Sequence, residues 1–131
     1  MMDIQQFYEH AARRAEQIIN LIADRQYDKL PAVTGAIYLG WGERKPAEEE
    51  LASLGKCLDA QLKLLSEDSG QAYVIDPYEP RHFQIMEDGD VERTCATYNP
   101  HSHGEPLDFW FEFEFSLGKD GEIVSEIAIN V

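Results

Sequence analysis

The stretch Asp108-Phe109-Trp110-Phe111-Glu112-Phe113-Glu114-Phe115-Ser116-Leu117, followed by Gly118-Lys119-Asp120-Gly121 and Glu122-Ile123-Val124-Ser125-Glu126-Ile127-Ala128-Ile129-Asn130-Val131, decides the fold. In its first half Phe109, Phe111, Phe113, Phe115 and Leu117 alternate with Trp110, Glu112, Glu114 and Ser116. A period of two marks a strand with one buried and one solvated face. In the return half Ile123, Ile127, Ile129 and Val131 share a face, with Ser125 the polar side chain in that row. A three-residue loop, Lys119-Asp120-Gly121, with glycine in the left-handed conformation, then pairs Leu117 with Ile123, Phe113 with Ile127, Phe111 with Ile129 and Phe109 with Val131. A slip of one residue would set phenylalanines against glutamates, so the register is strongly determined. The same register places Glu114 directly across from Glu126 on the outer face, beside Glu112 and Trp110. Directly opposed like charges cost about a few tenths to 1 kcal/mol. The cluster therefore reads as stability given up for binding, against a competing reading as a hydrated face screened by salt.

Charge is distributed to match. Residues 1–66 hold 10 Asp and Glu against 8 Lys and Arg, whereas residues 67–131 hold 15 against 3, so twelve of the fourteen net negative charges lie in the second half. That half reads as β-strand, and its charge must stand on one sheet face and in the loops. An electronegative sheet attracts a strongly basic partner. A net charge of −14 argues against binding nucleic acid or an anionic membrane, both of which need Lys and Arg.

At 131 residues the chain is expected to be one domain, 1–131, with a core of its own. Cys57 and Cys95 have no zinc-type or redox-type spacing and read as free thiols of a reducing cytosol. The segment Met1-Met2-Asp3-Ile4 runs straight into an amphipathic pattern, and no stretch approaches ~18 apolar residues, so the expected location is cytoplasmic.

Upstream of the strands, Ile4, Phe7, Tyr8, Ala11, Ala15, Ile18, Ile19 and Ile22 predict a long amphipathic helix with Asp3 as N-cap. A short helical turn follows over Asp24 to Leu30, ending at Pro31, and the glycines at 35, 40 and 42 mark a loop or short strand around Ile37 to Trp41. Pro46 and Glu48-Glu49-Glu50 open a second helix, Leu51, Leu54, Leu58, Leu62 and Leu65 form its stripe, and Asp68-Ser69-Gly70 ends it. From Gln71 the period becomes two, giving candidate strands 71–76, 81–87, 91–98, 108–117 and 122–131, joined by short loops that predict antiparallel neighbours. The expected class is α+β, with N-terminal helices packed on a curved antiparallel sheet of four to five strands.

Several residue groups invite chemistry. His101-Ser102-His103, with Glu105 and Asp108, has metal-ligand types, but H-x-H spacing without a third fixed ligand is weakly specific, and no metal is expected. Asp76, Tyr78, His82, Arg93 and Tyr98 would suit proton abstraction if they met in one pocket, although nothing in their spacing brings them together. No nucleophile elbow, phosphate loop or dinucleotide fingerprint occurs, so neither a catalytic residue nor a cofactor is expected.

The order of two helices, a connecting segment and a sheet ending in an aromatic hairpin resembles the NTF2-like, or cystatin-like, cone fold. The stretch Ala15-Glu16-Gln17-Ile18-Ile19-Asn20-Leu21-Ile22-Ala23-Asp24-Arg25-Gln26-Tyr27-Asp28-Lys29-Leu30 is similar to its opening helix and second short helix, and 108–131 to its final two strands. The resemblance implies an isomerase, a dehydratase, a binding module or a bacterial immunity protein that neutralises a toxin. Enzyme members place an Asp or His base inside the cone, whereas the inward row here is aromatic and aliphatic apart from Ser125. The expectation is therefore a non-enzymatic immunity protein whose acidic face docks on a basic, nuclease-like toxin domain. Its expected contacts are Trp110, Glu112, Glu114 and Glu126, with Glu87, Asp88, Asp90 and Glu92 at the neighbouring turn. The alternative is an NTF2-like enzyme or small-ligand binder with a cone pocket.

Overall fold

The computed structural model describes residues 3–39, 45–86 and 93–130. Helix α1 spans Ile4–Ala23 and opens with a reciprocal cap, in which Asp3 Oδ1 accepts from the Gln6 amide at 2.8 Å and Gln6 Oε1 accepts from the Asp3 amide at 3.1 Å. Its buried stripe is Phe7, Ala11, Ala15, Ile18, Ile19 and Ile22, as the periodicity predicts. A 3₁₀ turn, Tyr27–Ala32, buries Leu30 and leads to strand β1, Ala36–Leu39. Strand β2, Lys45–Pro46, runs directly into helix α2, Ala47–Ser69, which buries Leu54 and Leu58 and stops at Gly70 with φ +74°.

After a strap without regular structure come a 3₁₀ turn, Pro80–His82, and strands β3, Phe83–Ile85, β4, Thr94–Tyr98, β5, His101–Ser102, β6, Glu105–Pro106, β7, Trp110–Leu117, and β8, Ile123–Asn130. The main sheet has the order β2-β1-β8-β7-β4-β3, and β5 pairs with β6 apart from it. The class is α+β, as expected, with one correction to the sheet: among the described residues it has six strands and is mixed, because β1 runs parallel to β8. The glycines around β1 conceal that pairing in the sequence. It is fixed by polar contacts, since Thr34 Oγ1 and the Gly35 amide donate to the Ser125 carbonyl at 3.0 and 2.9 Å, and Ser125 Oγ donates to the Val33 carbonyl at 2.6 Å. The one polar residue of the inward row thus satisfies its hydroxyl by tying β8 to the segment before β1.

The β7–β8 register is the one the alternation demands, with Leu117 opposite Ile123, Phe113 opposite Ile127, Phe111 opposite Ile129 and Glu114 opposite Glu126. Gly121, at φ +80°, turns the loop, and the Gly118 amide closes it on the Glu122 carbonyl. The expected pairing of Phe109 with Val131 reaches beyond the described residues at Val131. Phe109, Phe111, Phe113 and Phe115 are all buried, and they form one core with the α1 stripe, Leu54 and Leu58.

The expected strand at 71–76 is a second correction. Residues 72–79 have no ladder partner. Instead their amides find acceptors on four different elements: Tyr73 on Ser66 Oγ, Val74 on Ser102 Oγ, Asp76 on the His101 carbonyl, Tyr78 on Asn20 Oδ1 and Glu79 on the Tyr98 hydroxyl.

Candidate functional site

The outer face of the sheet is built by the partners of the buried rows. Because residues alternate, the strands that turn Phe111, Phe113, Ile127 and Ala96 inward must turn Glu112, Glu114, Glu126, Cys95 and Thr97 outward. Two transverse rows result, Cys95–Glu114–Glu126 and Thr97–Glu112–Ala128. The short side chains of Cys95, Thr97 and Ala128 form a low floor between the carboxylates. Met86 and Arg93 join them around a groove of about 330 Å³.

Trp110 is 45% exposed on this face and donates its indole Nε1–H to Glu112 Oε1 at 3.1 Å, which orients that carboxylate. Arg93 Nε lies 3.4 Å from Glu114 Oε1. Three carboxylates against one guanidinium leave the face negative, and the Glu114–Arg93 contact offsets part of the repulsion between Glu114 and Glu126. A cation with an apolar stem complements such a surface, its stem over the short-chain floor and its charge among the carboxylates.

Of the residues the sequence singles out, Trp110, Glu112, Glu114 and Glu126 share this face. Glu87, Asp88, Asp90 and Glu92 lie outside the described residues. The sequence missed the groove floor and the role of Arg93. The parity of Cys95 and Thr97 with Glu114 and Glu112 across adjacent strands was the available signal, but it becomes readable only once the β4–β7 register is known.

Of the other two groups of candidates, Asp76, His82, Tyr98 and His101 meet in one crevice, whereas Tyr78, Ser102, His103, Glu105 and Asp108 do not line it. Asp76, Glu79, Arg81, His82, Tyr98, His101 and Gly104 line a volume of about 120 Å³. Arg93 does not belong to it, which corrects its grouping with Asp76 and His82. Asp76 accepts from the amides of His103 and Gly104 at 2.9 Å each, holding a two-residue turn whose residues both have positive φ, 51° and 82°. His103 Nε2 donates to the Ala72 carbonyl and His101 Nδ1 to the Asn99 carbonyl, both at 3.0 Å. The rings of His82 and His101 stack 3.6 Å apart at 10°.

Stacked imidazoles direct their nitrogen lone pairs into parallel planes, so the two rings cannot converge on one ion in plane. Among the described residues no group of three or more His, Cys, Asp or Glu side chains is placed to hold a metal. Burial first, then His101 and Arg81, lowers the His82 pKa from 6.5. Burial, followed by the neighbouring Tyr98 and Glu16, pushes the Tyr78 hydroxyl up to about 12, and burial also raises Tyr98. The tyrosines are therefore proton donors at neutral pH and His82 an uncharged acceptor.

Among the described residues no helix is long and apolar enough to cross a membrane. Comparison with protein-family models, with curated proteins and with solved structures finds no match for this chain.

Proposed function

We propose that the chain is an acidic protein-binding module whose outer sheet face docks on a basic partner. In its most specific form this is an NTF2-like immunity protein, located in the cytoplasm, that neutralises a nuclease-like toxin domain by presenting carboxylates where nucleic-acid phosphates would lie. The observation that carries the reading is the two-sidedness of the β7–β8 ribbon. Its inner face is filled by phenylalanine, while its outer face opposes Glu114 to Glu126 beside an exposed tryptophan. The order of helices and strands supports the NTF2-like form, as does the packing of α1 and α2 on one sheet face. Such a face steers association through its field, so its contribution lies mostly in the on-rate and falls with salt.

The test is capture from the native host with the wild-type chain and with Glu114→Ala/Glu126→Ala as baits. One basic, nuclease-like partner is expected on the wild type, with association slowed about tenfold in the double variant and a shallower salt dependence. Unchanged association kinetics would remove this face from the interface.

A second reading, an NTF2-like enzyme or small-ligand binder, draws support from the crevice of Asp76, His82, Tyr98 and His101. Its volume of about 120 Å³ is well under the range of ~300–1,000 Å³ usual for drug-sized ligands, which favours the docking reading.

A further inference from the structure

A second groove, lined by two arginines, has the opposite character. It measures about 420 Å³ and lies between α1 and the start of β8, lined by His10, Arg13, Arg14 and Gln17 on one wall and Gly121, Glu122 and Ile123 on the other. The helix residues stand at i, i+3, i+4 and i+7, so they form one continuous stripe beside the buried one. From this groove we infer that the chain binds the phosphate group of a small hydroxylated phosphomonoester, held by Arg13, Arg14 and His10.

The first ground is the state of the two arginines. The chain holds 25 acidic against 11 basic residues, and Arg25, Arg81 and Arg93 each have a carboxylate within 4 Å. Among the described residues no carboxylate lies that close to Arg13 or Arg14. Lys29, Lys56, Lys63 and Lys119 make no ion pair among the described residues either, but Arg13 and Arg14 differ from them in standing together on one wall of a groove. An anion between the two arginines relieves their mutual repulsion.

The second ground is order. Arg14 is half-buried, and its Nη1 donates to the Val33 carbonyl at 2.9 Å, which fixes the guanidinium while leaving its other donors available. Arg13 and His10 line the same wall one turn apart, so several donors are gathered on one side of the groove. Two guanidiniums and an imidazole together match the charge and the three terminal oxygens of a phosphate monoester better than the single charge of a carboxylate.

The third ground is Glu122 on the opposite wall. It repels a bare anion but accepts from a hydroxyl carried on the same molecule, so it favours a hydroxylated phosphate ester over inorganic phosphate. The volume is of the size that small ligands occupy.

The site is independent of the acidic face, and so is its test. Titration calorimetry with glycerol phosphate and with inorganic phosphate, at fixed ionic strength, should give saturable binding near or below about 1 mM for the ester and weaker binding for phosphate. Arg13→Gln, at an exposed position, should weaken the ester about tenfold, whereas Lys63→Gln on α2, which changes the net charge equally, should leave it within about twofold. Glu122→Gln should tighten inorganic phosphate and erase the advantage of the ester. An absence of saturable binding up to about 10 mM, or a loss in Lys63→Gln equal to that in Arg13→Gln, overturns the proposal.

Discussion

The β7–β8 ribbon and the strap at residues 72–79 belong to the same half of the chain and are held by opposite means. The ribbon repeats one device eight times, pairing every residue from Trp110 to Leu117 with one from Ile123 to Asn130, and each pair that faces inward restates the register. The strap repeats no ladder and is held by a different kind of acceptor at nearly every amide. Its amides rest on a serine of α2, a serine and a backbone carbonyl of β5, an asparagine of α1 and a tyrosine of β4, and only β5 is used twice. Redundant order yields cooperative stability, and single-copy order yields segments that can open locally.

The largest effect should therefore follow a lesion in the ribbon core. Phe111 is fully buried and faces Ile129 on one side and Tyr98 on the other. Phe111→Ala should cost about 3–5 kcal/mol in denaturant unfolding, lowering the midpoint with little change in slope. A loss under about 1.5 kcal/mol would mean that the phenylalanine row is not the core, and with it the two-sidedness of the ribbon would fall.

The same contrast explains what could be read in advance. The α1 stripe and the ribbon repeat a pattern over five turns and eight pairs, so no single residue decides them. The strap looked like a strand because Tyr73 and Ile75 alternate with exposed Ala72 and Val74, and Ile75 is indeed buried. What denies it a ladder is the β5–β6 hairpin beside it, and that hairpin depends on Asp76 capping two amides some 27 residues away. No local pattern encodes such a contact. The parallel β1–β8 pairing escaped notice for the same reason, since it rests on Thr34 and Ser125, which are distant in sequence. The outer carboxylates were legible because they are the complement of the inner phenylalanines. The groove floor was not, because it needs the register of a third strand.

An intermediate effect is expected at Asp76. Asp76→Ala removes the acceptor of the His103 and Gly104 amides, at a cost of about 1–2 kcal/mol given their exposure. Amide hydrogen exchange should separate the two regions, with protection lost at residues 72–79 and 101–106 while the ribbon amides keep theirs. Equal loss in both regions would show that the strap is part of the cooperative core and would break the contrast.

The smallest effect concerns protons. The His82 ring lies flat on His101 where the strap meets β5, and burial, then His101 and Arg81, depress its pKa in the folded chain, with Glu79 and Asp76 opposing. The unfolded chain, titrating near 6.5, takes up this proton first. The stabilisation linked to the neutral ring is thus fully present above pH 6.5 and is lost as the pH falls from there toward the folded pKa. The ring is only half-buried, so solvent screens much of the effect. His82→Phe keeps an aromatic ring against His101 but cannot take a proton. Between pH 7 and pH 5.5 the melting temperature of this variant should therefore fall less than that of the wild type, by about 1–2 °C. An equal fall in both proteins would mean that the stack does not resist protonation and that the strap is anchored there by its backbone hydrogen bonds alone.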